Sequence, residues 1–156
     1  MPVNIGQKAP DFTLLDMNFK PRSLQEFVCS QNVVLVFFPA AFSSVCTKEM
    51  CTFRDSMTKL NSLKANVIGI SVDTPFAQKA FAEHNKLNFT LLSDFNKEVI
   101  KLYDVVLQDL LGLKELAKRA VFIIDKEGIV RYKWVSDDPK VEPNYNEIIK
   151  ELERIG

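Results

Sequence analysis

The 156-residue chain has few of the residues from which secreted scaffolds and metal centres are built: three cysteines, Cys29, Cys46 and Cys51, and a single histidine, His84. Three cysteines are too few, and odd in number, for the disulfide framework of a small secreted domain. One histidine would leave a structural zinc site to recruit carboxylates, and these occur at no recognisable ligand spacing, so no metal is expected. The chain also lacks any apolar run of about 18 residues. Its start, "MPVNIGQKAPDF", shows no basic segment followed by an apolar one. A cytoplasmic protein with no membrane partner is expected. Net charge is missing too: 20 Lys and Arg balance 20 Asp and Glu, so no global field draws the chain onto nucleic acid. Without repeats, low-complexity blocks or Gly/Ser linkers, residues 1–156 read as one domain. The cysteines are left with reactive thiol chemistry or with service as small core residues.

What is present suits a globular fold. Hydrophobic residues make up 47% and charged residues 26% of the chain. A domain of this length buries roughly 70% of the surface its unfolded chain exposes. "DFTLL" (Asp11 to Leu15) reads as a short strand, "PRSLQEF" (Pro21 to Phe27) as a helical turn entered at proline, and Val33 to Phe38 as a strand buried on both faces. Cys46, Met50, Phe53, Met57 and Leu60 then form one stripe of an amphipathic helix. Val67 to Val72 is a further buried strand, followed by a helix with Thr74 as N-cap and Pro75 in its first turn. Phe89 to Ser93 suits a strand, and Asp94 can cap the helical segment after it. Val105 to Ala117 is Leu-rich and ambiguous, "RAVFIIDKEGIVRYKWV" reads as strand, tight turn and strand, and Ile148, Leu152 and Ile155 mark a last amphipathic helix. Strands that alternate with helices favour a central mixed sheet in a three-layer α/β/α sandwich.

Cys46 falls where the buried strand Val33 to Phe38 has ended and a helix begins, with Ser43 or Ser44 as N-cap. Unpaired backbone N–H groups and the positive end of the helix dipole favour a thiolate there. A free thiol of pKa ~8.5 is already about 3% ionised at pH 7, so full ionisation gains no more than roughly thirtyfold. A large rate must instead come from groups that stabilise charge developing on the other reactant. Ser43 offers a hydroxyl and the first-turn amides offer donors. Arg119, just before the strand "AVFIID", offers a planar cationic fork able to hold a sulfur and a substrate oxygen together.

These residues resemble the peroxiredoxins, whose pattern of Pro, three residues, Thr or Ser, two residues, Cys is matched by Pro39, Ser43 and Cys46, with Arg119 as the distant arginine. The resemblance runs from "GQKAPDFTL" to the final helix, and "FFPAAFSSVCTKEMC" is most similar to the alkyl hydroperoxide reductase E and bacterioferritin-comigratory protein (peroxiredoxin Q) groups. It implies a thioredoxin-like fold and a thiol peroxidase that needs no cofactor. Cys46 would attack hydrogen peroxide or an organic hydroperoxide and become a sulfenic acid. Pro39 would shield that acid, Ser43 and Arg119 would hold the peroxide oxygens, and Glu49 would orient the arginine. A thioredoxin-like protein or a low-molecular-weight thiol would restore the enzyme, and a homodimer contacting through loops at the active site is plausible for the group.

The same resemblance implies that Cys51 resolves the sulfenic acid as an intramolecular disulfide. In an intact helix the two Cα atoms lie roughly 8.7 Å apart, and a disulfide needs less than about 7 Å. One or two helical turns must therefore unwind in each cycle. The rivals are a one-cysteine mechanism with an external resolving thiol, a redox-sensing module with little turnover, and a thioredoxin-like oxidoreductase. The last would be expected to carry C-x-x-C, whereas Cys46 is followed by Thr47, Lys48 and Glu49. Cys29 is expected to pack as a small apolar residue near the end of an early helix, and His84 to sit at a helix C-terminus.

Overall fold

The structure, a computed structural model, describes residues 3–156, so the first two residues of the N-terminal stretch lie outside it. In chain order the elements are β1 (Thr13–Asp16), β2 (Pro21–Ser23), α1 (Leu24–Val28), β3 (Asn32–Phe37), α2 (Ser44–Ser62), β4 (Ala65–Ser71) and α3 (Pro75–His84). There follow β5 (Thr90–Ser93), α4 (Val99–Leu102), β6 (Val106–Leu110), β7 (Leu113–Ala117), β8 (Arg119–Ile124), β9 (Val130–Ser136) and α5 (Tyr145–Ile155). Seven strands form one mixed sheet in the order β2-β1-β5-β4-β3-β8-β9, with β3, β4 and β5 parallel and the remaining pairings antiparallel.

Side-chain alternation divides the core between the two faces of this sheet. Val33, Leu35 and Phe37 of β3 and Ala120, Phe122 and Ile124 of β8 pack on one face with α1 and α4. Val34, Val36, Val121 and Ile123 pack on the other with α2, α3 and α5. The three-layer α/β/α arrangement follows, because both faces of the central strands are apolar and both must be covered. Packing is tight over β4 at Gly69: a Cβ there would come within 2.6 Å of Leu91 Cδ2, 3.3 Å of Phe38 Cε1 and 3.8 Å of Met50 Sδ on α2. Among the described residues no helix is long and apolar enough to cross a membrane.

Three local expectations are corrected. Pro21 opens an edge strand, not a helix: it pairs with Leu15, and α1 begins only after Ser23, whose Oγ accepts from the Glu26 amide at 3.3 Å. The ambiguous Val105 to Ala117 stretch is the β6–β7 hairpin, turned by Leu111 and Gly112 at φ 53° and 92°. Cys29 does follow an early helix, but it is exposed and donates from Sγ to the Glu26 carbonyl at 3.1 Å. Thr74 caps as expected, while Asp94 reaches past a turn to a helix that begins only at Val99, with Glu98 at its N-cap position. Thr74 Oγ1 accepts from the Ala77 amide at 3.2 Å, and the Asp94 carboxylate takes the amides of Glu98, Val99 and Ile100 at 2.8–3.1 Å.

Candidate active site

Register brings the site together. Phe37, the last residue of β3, pairs with Ala120, so Arg119 lies opposite the point where the chain leaves the sheet for the Phe38 to Ser43 loop. Strand alternation then turns Arg119 to the same face as Val121, the face covered by α2. Cys46 occupies the first turn of α2 on the buried stripe, with Met50, Phe53, Met57 and Leu60 behind it.

Arg119 is 1% exposed, yet every nitrogen of its guanidinium donates. Nη2 donates to Cys46 Sγ at 3.2 Å and to the Pro139 carbonyl at 2.7 Å, Nε reaches the same carbonyl at 3.1 Å, and Nη1 donates to Glu49 Oε1 at 2.7 Å. Burial works against its charge, but the neighbouring Glu49 and Cys46 outweigh it and hold the guanidinium protonated. For Glu49 the balance falls the other way. Burial pushes its carboxyl up to about 8 although Arg119 pulls it down, and its Oε2 has no hydrogen-bond partner among the described residues.

The rim is tied from two directions. Asp73 Oδ2 accepts from the Ala41 amide in the loop at 2.8 Å and from Ser71 Oγ at 2.7 Å, and Gln78 Nε2 donates to Ser71 Oγ at 3.0 Å. On the opposite side the Glu142 carboxylate accepts from Tyr145 Oη at 2.7 Å and pairs with Lys48 at 3.1 Å. Burial acts to raise the Glu142 carboxyl, and these two bonds overcome it, holding the group below its ordinary value.

Cys46, Arg119 and Glu49 are thus brought into one cluster, and Pro39 is buried at the start of the loop that leads into α2. Ser43 differs from expectation. It sits at the N-cap position in extended backbone but makes no side-chain cap, and its Oγ donates to the Ala40 carbonyl at 2.9 Å. Its proton is committed to the loop's own backbone. Cys46 is also fully enclosed, 0% exposed, so a peroxide reaches the sulfur only when the structure around it gives way. An inert core cysteine would show the same burial, and the charged nitrogen aimed at the sulfur distinguishes this one. Phe42, in left-handed backbone at φ 67° and 53% exposed, rests against Phe81 and His84 at the mouth.

Pro139 and Asp73 were invisible in the sequence. A backbone carbonyl carries no side-chain signature, and the only hint of Asp73 was an acidic residue at the carboxyl end of a buried strand, where α/β sites gather. Cys51 is half-buried on another flank of α2 and forms no disulfide. Among the described residues no group of three or more His, Cys, Asp or Glu side chains is placed to hold a metal ion.

Residues 5–133 match the AhpC/TSA family. Chloroplastic peroxiredoxin Q of Populus jackii is 39% identical over 153 residues, covering 98% of this chain and 70% of that protein. The peroxiredoxin Q of Arabidopsis thaliana is 46% identical over 129 residues, 83% of this chain and 58% of that protein. The crystal structure of peroxidoxin BcpB from Mycobacterium tuberculosis superposes with a TM-score of 0.89 at 32% identity, covering 99% of each chain. With a buried cysteine and arginine in contact and relatives of this kind aligned along nearly its whole length, the chain belongs to the AhpC/TSA family, the peroxiredoxins, and is a thiol peroxidase.

Proposed function

We propose that Cys46 is the peroxidatic cysteine of a single catalytic unit spanning residues 1–156, and that Arg119 is its electrostatic partner. The observation that carries this reading is the 3.2 Å bond from Arg119 Nη2 to Cys46 Sγ inside a site closed to water. The Cys46 thiolate attacks the terminal oxygen of hydrogen peroxide or an organic hydroperoxide. The O–O bond breaks, water or an alcohol leaves with a proton, and the sulfur is oxidised to sulfenic acid. Arg119 stabilises the charge that moves onto the leaving oxygen. Pro39 keeps water from the acid, and Ser43 can turn its hydroxyl from the Ala40 carbonyl to a peroxide oxygen when the loop opens.

Cys51 then resolves the acid: its sulfur bonds to Cys46 Sγ and water leaves. A dithiol of the thioredoxin type, or a small thiol, reduces that disulfide. The exposed Phe42 at the mouth supports contact with a second copy of the chain in a homodimer, and free thiols throughout are suited to the cytoplasm. Peroxide consumption with product masses for wild type, Cys46→Ser and Cys51→Ser tests the chemistry. Cys46→Ser should consume no peroxide. Cys51→Ser should stop at a sulfenic acid or its adduct with an added thiol. A Cys51→Ser protein that turns over normally with the dithiol reductant favours the one-cysteine mechanism instead.

A further inference from the structure

Cys51 is about 140° round α2 from the stripe that begins at Cys46. Its Sγ–H donates to Asn85 Oδ1 at 3.7 Å. One turn further on, Arg54 Nη1 donates to the backbone carbonyl of the same Asn85 at 2.6 Å, and Asn88 Nδ2 returns a bond to the Arg54 carbonyl at 3.4 Å. Asn85 is itself fixed. It is the C-cap of α3, and both its backbone amide and its Nδ2 donate to the Phe81 carbonyl, at 3.1 and 3.0 Å. One asparagine on a neighbouring helix end therefore holds the thiol that must travel and the first cation beyond it. The attack of Cys46 on peroxide uses none of these bonds.

We propose that Asn85 and Arg54 form a latch on α2 that sets how readily, and how far, the helix unwinds to deliver Cys51 to Cys46. Both are positioning residues for the second half of the cycle, and the inference rests on Cys51 being the resolving cysteine. Unwinding from Ser44 through Cys51 has to release the Cys51 to Asn85 bond, while the Arg54 to Asn85 bond, three residues further along, holds the rest of the helix in place. The latch thereby governs a competition. A sulfenic acid that waits for Cys51 is exposed to a second peroxide, which oxidises it to sulfinic acid and leaves as water or alcohol. Losing a neutral hydrogen bond such as that of Cys51 corresponds to several-fold in such an opening equilibrium.

Rapid quench with thiol alkylation and mass analysis separates the two steps in wild type, Asn85→Ala, Arg54→Met and Arg54→Lys. The peroxide-dependent formation of sulfenic acid should be unchanged. The peroxide-independent closure of the Cys46–Cys51 disulfide should be several-fold faster in Asn85→Ala, with a lower sulfinic yield, and unchanged in Arg54→Met and Arg54→Lys, whose bond the opening does not break. Hydrogen exchange of the oxidised wild type should show fast amides ending before Arg54, and in Arg54→Met the fast region should extend past it. Leu60→Ala, which weakens the core under the last turn of α2, should leave the closure rate alone. Closure that is unchanged or slower in Asn85→Ala, or equally accelerated by Leu60→Ala, or a fast-exchanging region that still ends before Arg54 in Arg54→Met, overturns the latch while the resolving role stands. A wild type that forms no Cys46–Cys51 disulfide removes the resolving role, and the latch with it.

Discussion

At the scale of single residues, the least ordinary group is Glu49, a carboxyl that burial raises from 4.5 to about 8 while it lies 2.7 Å from a guanidinium. Between those two values the folded protein binds a proton that the unfolded chain has released. Stability contributed by this group is therefore fully present below about 4.5 and is lost as pH rises to about 8. Glu49→Gln, which cannot titrate, should flatten that part of the stability curve in denaturant titrations at pH 5, 6.5 and 8. An unchanged slope in the variant would show that Glu49 does not carry the effect. Cys46 and Arg119 were legible in the sequence because each is a chemically distinctive side chain at a helix start or strand start, whereas Glu49 was reached only through the family resemblance. Ser43 was only half legible, since its type fixes what it can donate but not to which acceptor. Cys29 misled because a cysteine after an apolar helix is as compatible with an exposed C-cap as with the core.

At the scale of elements, the proposed cycle asks two incompatible things of α2: it is helical to hold Cys46 and Glu49 against Arg119, and it would have to open for Cys51 to close a disulfide. Such an opening would break the Glu49 to Arg119 and Lys48 to Glu142 contacts and take Met50 out of the core. Conversion to the Cys46–Cys51 disulfide should therefore lower the helical circular dichroism by one to two turns, roughly four to seven residues. A disulfide formed with no change in helical signal would contradict this. Elements with a clear period, such as α2 and the runs that became β3 and β8, could be located from the sequence. The β6–β7 hairpin could not, because its Leu111, fully exposed at the tip in left-handed backbone, breaks any alternation a reader would seek. Pro21 was read as the start of a helix because proline suits a first helical turn as well as an edge strand, and the antiparallel partner that decides between them lies in Leu15.

At the scale of the whole molecule, the Cys46–Arg119 cluster exists because strand order places β8 beside β3 and because α2, packed over β4, brings its first turns to Arg119. The alternation of strands and helices announced three layers but not the neighbour relation of β3 and β8, which depends on contacts between residues more than eighty positions apart. Gly69 supports the arrangement by admitting Leu91, Phe38 and Met50 to the space a side chain would take. Gly69→Ala should cost about 1–3 kcal/mol in equilibrium unfolding, as overpacked cores do. A loss below about 0.5 kcal/mol, the range of a neutral surface change, would show that the helix and sheet yield there.

The central claim is that the Arg119 guanidinium makes a buried cysteine react with peroxide, and its most direct test is the second-order rate constant of the reduced protein with hydrogen peroxide. Measured by stopped flow on wild type, Arg119→Lys and Arg119→Met, that constant should fall by about 10²–10³ in Arg119→Met, the scale of losing a preorganised charge donor. Arg119→Lys should lie between, because a point charge cannot hold sulfur and peroxide oxygen at once. A folded Arg119→Met protein that reacts within about threefold of wild type, well under the cost of one such donor, would contradict the account.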